Sequence, residues 1–112
     1  MVSSVTEFKN GSISDVTLNF LQNSSTNSPS PKSIKPYCII YVDGVTDNNK
    51  RTYSSSSTNS LSVSSDYFET AEKSVTFEVR TNSYTGSIFD IVTVPVLYDG
   101  PPGNPGESVS TV

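Results

Sequence analysis

One short run constrains this chain more than any other: Lys35-Pro36-Tyr37-Cys38-Ile39-Ile40-Tyr41-Val42-Asp43-Gly44. β-Branched and aromatic side chains fill positions 37 to 42, a proline opens the run and Asp-Gly closes it, which favours a strand over a helix. Successive side chains of a strand point to opposite faces, so Tyr37, Ile39 and Tyr41 go one way and Cys38, Ile40 and Val42 the other. Both sets are bulky and mostly apolar. The run is therefore expected as a central strand, buried on both faces between two packed layers.

The rest of the chain reads as shorter strands separated by turn residues. In residues 13–21, Val16, Leu18 and Phe20 alternate with Asp15, Thr17 and Asn19, as a strand with one buried face requires. Residues 22–32 hold little to bury and carry Pro29 and Pro31, so a long exposed loop is expected. Asp43-Gly44 and Asp47-Asn48-Asn49 supply a reversal, after which Arg51-Thr52-Tyr53 begins a return strand. The serine run 54–57 reads as a loop or weak edge, Leu61 and Val63 as a short strand, and residues 66–73 as a polar connection with one helical turn. Val75, Phe77 and Val79 alternate with Thr76, Glu78 and Arg80 in a second half-buried strand, and residues 81–87 form a loop. Residues 88–98 are apolar again, with Pro95 tolerated only where its missing donor faces an edge or a bulge.

Val2, Val5 and Phe8 give the first twelve residues material for a short edge strand at 5–8, and the Pro-Gly-rich end cannot enter a sheet. The organisation that follows is an N-terminal arm at 1–12, one all-β domain at 13–99 and a tail at 100–112. Strands at this spacing, without a long helical period, predict an antiparallel β-sandwich. Ser, Thr and Asn make up 43 of the 112 residues, a composition that borders on disorder. The apolar residues nevertheless fall in alternating blocks and the net charge is only -4, so a folded domain is the expectation.

The absence of histidine removes the commonest general base, the commonest metal ligand and every Ser-His or Cys-His nucleophile pair. The single Cys38 lies at an inward position and reads as a small core residue. Asp43 with Asp47, and Asp66 with Glu69, are near enough in sequence to share a cation, but both pairs fall in predicted turns, where Asp ordinarily accepts from the backbone. With no phosphate loop, zinc spacing or dinucleotide fingerprint, neither an enzyme nor a cofactor is expected. Seven scattered basic residues leave no footprint for nucleic acid. A leader or membrane span is not apparent, and a cytoplasmic location is the simplest expectation. The sequons at Asn10 and Asn23 are of a kind that arises by chance in such a composition. The terminal Ser110-Thr111-Val112 has the hydroxyl and valine spacing that a PDZ groove accepts, with Ser110 and Val112 as its contacts.

In order along the chain, several stretches resemble a C2 domain, an eight-stranded β-sandwich that in many members docks on phospholipid headgroups through calcium held by loop aspartates. Residues 16–21 are similar to its first strand, Ile34-Lys35-Pro36-Tyr37 and the residues through Val42 resemble its Ser-Asp-Pro-Tyr motif and following strand, and Lys50-Arg51-Thr52 resembles its basic return strand. Asn59-Ser60-Leu61 stands where the family has Asn-Pro and a tryptophan two residues on, while residues 75–79 and 92–96 resemble the strands on either side of its third binding loop. The resemblance spans residues 13 to 98. It implies that the calcium positions carry Lys35 in the first loop and Thr81, Ser83, Gly86 and Ser87 in the third; an ammonium repels a cation and hydroxyls without carboxylates bind calcium poorly. The family's last strand also has no counterpart before the tail, so residues 4–8 or a partner are expected to supply that edge.

The functional expectation is a non-catalytic, calcium-independent C2-like binding or scaffold module that engages a protein partner or self-associates through an open edge. Two alternatives stand beside it. One is a peripheral binder of anionic lipid headgroups, contacted through Lys32, Lys35, Lys50 and Arg51. The other is a structural subunit of a filament or coat.

Overall fold

The computed structural model describes residues 1–22 and 28–98. The tail at 100–112, with Ser110 and Val112, lies outside the described residues, as does the middle of the loop after Gln22. Ten strands follow one another: β1 (Val2–Ser3), β2 (Phe8–Lys9), β3 (Val16–Asn19), β4 (Leu21–Gln22), β5 (Ser30–Pro31), β6 (Pro36–Val42), β7 (Arg51–Tyr53), β8 (Ser60–Val63), β9 (Ser74–Thr81) and β10 (Ile88–Leu97), with one 3-10 turn at Ser65–Tyr67. The fold is all-β. A five-stranded sheet runs β2-β10-β9-β6-β7, a three-stranded sheet runs β1-β3-β8, and β4 pairs only with β5.

A single core joins the two larger sheets. Val16 and Leu18 of β3 and Leu61 and Val63 of β8 meet Cys38, Ile40 and Val42 of β6, Val75, Phe77 and Val79 of β9, and Val94 and Val96 of β10. Each set has a period of two, so alternation in the sequence becomes one apolar face per strand. β6 keeps seven residues in register with β9, from Pro36 opposite Thr81 to Val42 opposite Val75. The Asp43-Gly44 reversal has both residues at positive φ, 52° and 86°, with Val42 and Val45 bonded to each other across it. That is the type I′ geometry that Asp-Gly favours.

Five expectations need correction. β6 is an inner strand but not a central one, since β9 holds the middle of the sheet and only β7 lies beyond β6. Its outer face is also only partly covered: Tyr37 and Tyr41 remain partly exposed, and Ile39 between them is buried outside the core cluster. The sheets are not purely antiparallel, because β2 runs parallel to β10, with Phe8 opposite Val96 and Lys9 opposite Leu97. The edge strand expected at residues 5–8 is instead two short strands, β1 on the smaller sheet and β2 on the larger, with Val5 packed against the core between them. Lastly, the loop at 22–32 contains paired residues at both ends. Lys32 N–H donates to the Phe20 carbonyl, so Pro31, one residue away and opposite Leu21, has its donorless nitrogen facing outward and costs the ladder nothing.

Pro95 meets its condition in the same way. Val96 N–H bonds the Lys73 carbonyl, which turns the Pro95 nitrogen toward the side of β10 away from β9. The sequence reading missed the anchor in the connection after β8. Phe68 and Ala71 are buried there, and Phe68 lies 5.9 Å from the Phe8 ring and edge-on to Phe77 at 5.5 Å. A lone phenylalanine among Asp, Tyr, Glu and Thr has no period to reveal it.

Candidate functional site: the outer face of the five-stranded sheet

The residues of β6, β7, β9 and β10 that do not enter the core make the opposite face of the larger sheet. Register fixes their neighbours. Tyr53, Tyr37, Arg80 and Ile88 form one row across the sheet, and Arg51, Ile39, Glu78 and Ile91 form the next. Tyr37 and Tyr53 stack with centroids 5.0 Å apart and planes 6° from parallel. They occupy a non-hydrogen-bonded position of the ladder, because Ile40 N–H bonds the Lys50 carbonyl and Ser54 N–H bonds the Pro36 carbonyl. Side chains approach most closely at such positions.

Tyr84, from the loop after β9, closes the cluster. Its ring stands edge-on to Tyr37 at 5.0 Å and to Tyr53 at 6.3 Å, and Arg51 lies over it with its guanidinium carbon 4.9 Å from the centroid. The loop that delivers it is tightly built. Asn82 takes φ 71°, Gly86 N–H bonds the Ser83 carbonyl, and a side chain at position 86 would run into the Thr81 carbonyl. Arg80 reinforces the loop by donating to the Gly86 carbonyl at 2.8 Å. Burial pushes the Tyr84 phenol above its ordinary pKa.

At the middle of the face, Glu78 is 6% exposed and accepts from Arg80 at 2.6 Å and from the Tyr41 hydroxyl at 2.8 Å. That hydrogen bond raises the Tyr41 pKa. Beside it, Tyr41, Gly44, Thr76, Glu78 and Ile91 line an open groove of 280 Å³. Three large side chains on this face stay uncovered, Tyr53 at 53%, Ile88 at 50% and Ile91 at 49% exposure. The arrangement offers flat aromatic and aliphatic contact with a few fixed polar groups. It has no nucleophile paired with a base.

A second concavity lies where three loops meet. Ser33, Ile34, Lys35, Ser57, Thr81 and Asn82 line a 340 Å³ cleft, closed at its base by the Asn82 N–H bond to the Lys35 carbonyl. Its lining thus includes one lysine and three hydroxyl-bearing residues, Ser33, Ser57 and Thr81.

The four basic residues singled out in the sequence occupy different settings. Lys35 lines the cleft, and Lys32 is exposed just after β5. Lys50 is paired with Asp47 at 3.2 Å, and Arg51 belongs to the tyrosine cluster. Asp43 and Asp47 spend their carboxylates on separate partners. Asp43 accepts from the backbone N–H groups of Glu72, Lys73 and Ser74, while Asp47 accepts from Asn49 N–H and from Lys50. These donors hold both carboxyls below the usual carboxylate range, the Lys73 N–H contributing most at Asp43 and the Asn49 N–H at Asp47. Cys38 is fully buried, and desolvation pushes its thiol up to about 12. Tyr84 and Glu78 went unrecognised as site residues. The pairing of Tyr37 with Tyr53 was not legible from the Asp43-Gly44 turn, because the Val42–Val45 bridge would set Tyr37 opposite Lys50 and the residues before β7 shift the register; the ring that joins the two tyrosines comes from a loop with no pairing pattern. Among the described residues, no helix is long and apolar enough to cross a membrane. Comparison of the chain with protein-family models, with curated proteins and with solved structures finds no match.

Proposed function

We propose that this chain is a non-catalytic, calcium-independent binding module of the β-sandwich type, C2-like in its strand sequence, that engages a protein partner through the outer face of its larger sheet. The observation that carries the reading is that one face leaves Tyr53 half exposed beside the ordered Tyr37-Tyr84-Arg51 cluster, and Ile88 and Ile91 half exposed on β10, beyond the Arg80–Glu78 pair. Exposed aromatic and aliphatic side chains gathered on one face are characteristic of interaction sites, where tyrosine and arginine are enriched. What supports the C2-like part of the reading is that the segments carrying the resemblance fall on strands, at residues 16–19, 36–42, 51–53, 60–63, 74–81 and 88–97. Selection from a displayed library of random peptides is the test. Ligands whose binding is lost in Tyr53→Ala and Ile91→Ala, and kept in Lys35→Ala, support the reading; ligands indifferent to both outer-face variants contradict it.

A second reading rests on the three-loop cleft. Lys35 among Ser33, Ser57 and Thr81 suits an anionic lipid headgroup, with Lys32 nearby in sequence. Co-sedimentation with anionic and neutral vesicles, with calcium and with chelator, separates the two. Binding to anionic vesicles alone, independent of calcium and lost in moderate salt and in Lys35→Ala, favours this reading. Absence of vesicle binding removes it.

A further inference from the structure

We infer that the free edge of β7 is a docking strand for an extended acidic peptide, which adds to the five-stranded sheet beside Arg51 and Tyr53. The inference rests on the protein-binding reading and specifies the partner. The hydrogen-bonded positions of the β6-β7 ladder are 36 with 54, 38 with 52 and 40 with 50, so Thr52 spends its backbone groups on β6. Arg51 and Tyr53 fall between them, and their N–H and C=O groups point away from the sheet. β7 ends the strand order, and no described residue pairs with that side.

The other edges are blunted or carry no charge. β10 carries a bulge between Ile88 and Asp90, the donorless Pro95, and β2 over its last two residues. β1 is two residues long; β8, four residues long, is also an open edge, but its exposed face carries only Ser60 and Ser62, with neither a charge nor an aromatic ring to select a partner. β7 has no proline and no bulge, and it is flanked on the outer face by an exposed aromatic ring.

Charge decides the partner. The chain is acidic overall, yet Arg51 has no carboxylate within ion-pair distance among the described residues; its Nε, like that of Arg80, is buried without a hydrogen-bond partner. Lys50, its neighbour, and Arg80, across the sheet, are both compensated by Asp47 and Glu78. An added strand sets alternate side chains on the outer face. A carboxylate at one such position meets the Arg51 guanidinium, and the next side chain on that face lies against the uncovered side of the Tyr53 ring, whose other side is taken by Tyr37.

The experiment uses the full chain with two capped peptides, one alternating Thr and Glu and one alternating Thr and Gln, titrated while backbone amide resonances are followed. The Glu peptide is expected to shift the Arg51 and Tyr53 amides and protect them from exchange, binding on the order of tenfold tighter than the Gln peptide. Tyr53→Pro removes one outward donor at an edge position where proline is tolerated, and should abolish the protection with the rest of the spectrum retained. Arg51→Glu should invert the preference between the peptides. Unmoved Arg51 and Tyr53 amides, or unchanged affinity in both variants, overturn the inference. The library ligands separate this failure from failure of the wider reading: ligands that bind the outer face without protecting β7 amides leave the binding module standing and remove edge addition, whereas a library without ligands removes both.

Discussion

The two faces of the five-stranded sheet are made by the same strands and differ in almost every physical respect. Toward the core, Cys38, Ile40, Val75, Phe77, Val79 and Val94 are fully buried and apolar. On the other side, the intervening residues of the same strands are tyrosines, an ion pair and uncovered isoleucines. A strand alternates its side chains with period two, so one residue's shift would exchange these faces. The difference teaches where to look for each property. Stability belongs to the face that excludes water, and recognition to the face that keeps flat rings and fixed charges in contact with it.

Substitutions on each face should therefore separate folding from binding. The largest effect is expected from Phe77→Ala, which empties the inner face and removes the edge-on partner of Phe68; it should cost about 3–5 kcal/mol in urea unfolding. A loss of that size is a large share of the total stability of a domain this small. Cys38 reports the same face without any cavity. With its thiol raised by burial, it should resist alkylating reagents in the native chain and react once denaturant exposes it.

Glu78→Ala sharpens the contrast from the other side. It leaves Arg80 and the Tyr41 hydroxyl, both partly exposed, without their shared partner, the buried Glu78, and should cost about 1–3 kcal/mol by chemical denaturation. A smaller effect is expected from the stacked pair. A double-mutant cycle of Tyr37→Ala and Tyr53→Ala should give a coupling of about 0.5–1.5 kcal/mol, and zero coupling would mean that the two rings act independently.

The smallest effect is at the turn that joins neither face. Backbone donors favour the ionised form of Asp43, so its native pKa lies below that of the unfolded chain. Its contribution is complete above the unfolded value of about 3.9 and is lost as pH falls through the lower native one. Asp43→Asn keeps the left-handed backbone accessible but removes the charge, and should flatten the decline of the urea midpoint below about pH 4.

Much of the inner face was legible in the sequence, because Val16-Leu18, Leu61-Val63 and Val75-Phe77-Val79 keep strict alternation and the Asp43-Gly44 turn declares its own geometry. What was not legible depends on contacts distant in sequence. The parallel pairing of Phe8 with Val96 and the burial of Phe68 leave no local periodicity. The outer face was half legible. Arg51 stood out by charge, while the significance of Tyr37, Tyr53 and Glu78 comes from cross-strand register, which a single strand does not reveal. Grouping Arg51 with Lys32, Lys35 and Lys50 by charge alone missed that their surroundings differ: Lys50 is neutralised by Asp47, whereas Arg51 sits on a tyrosine.

The central claim, that recognition resides on the outer face rather than in the loop cleft, is tested most directly by hydrogen exchange of the intact chain with and without a library-selected peptide ligand. The account predicts protection centred on residues 51–53 and 84–91, with residues 33–35 and 57 unchanged. Protection confined to Ser33, Lys35, Ser57 and Asn82, with the outer face unaltered, would contradict it and move the working surface to the three loops.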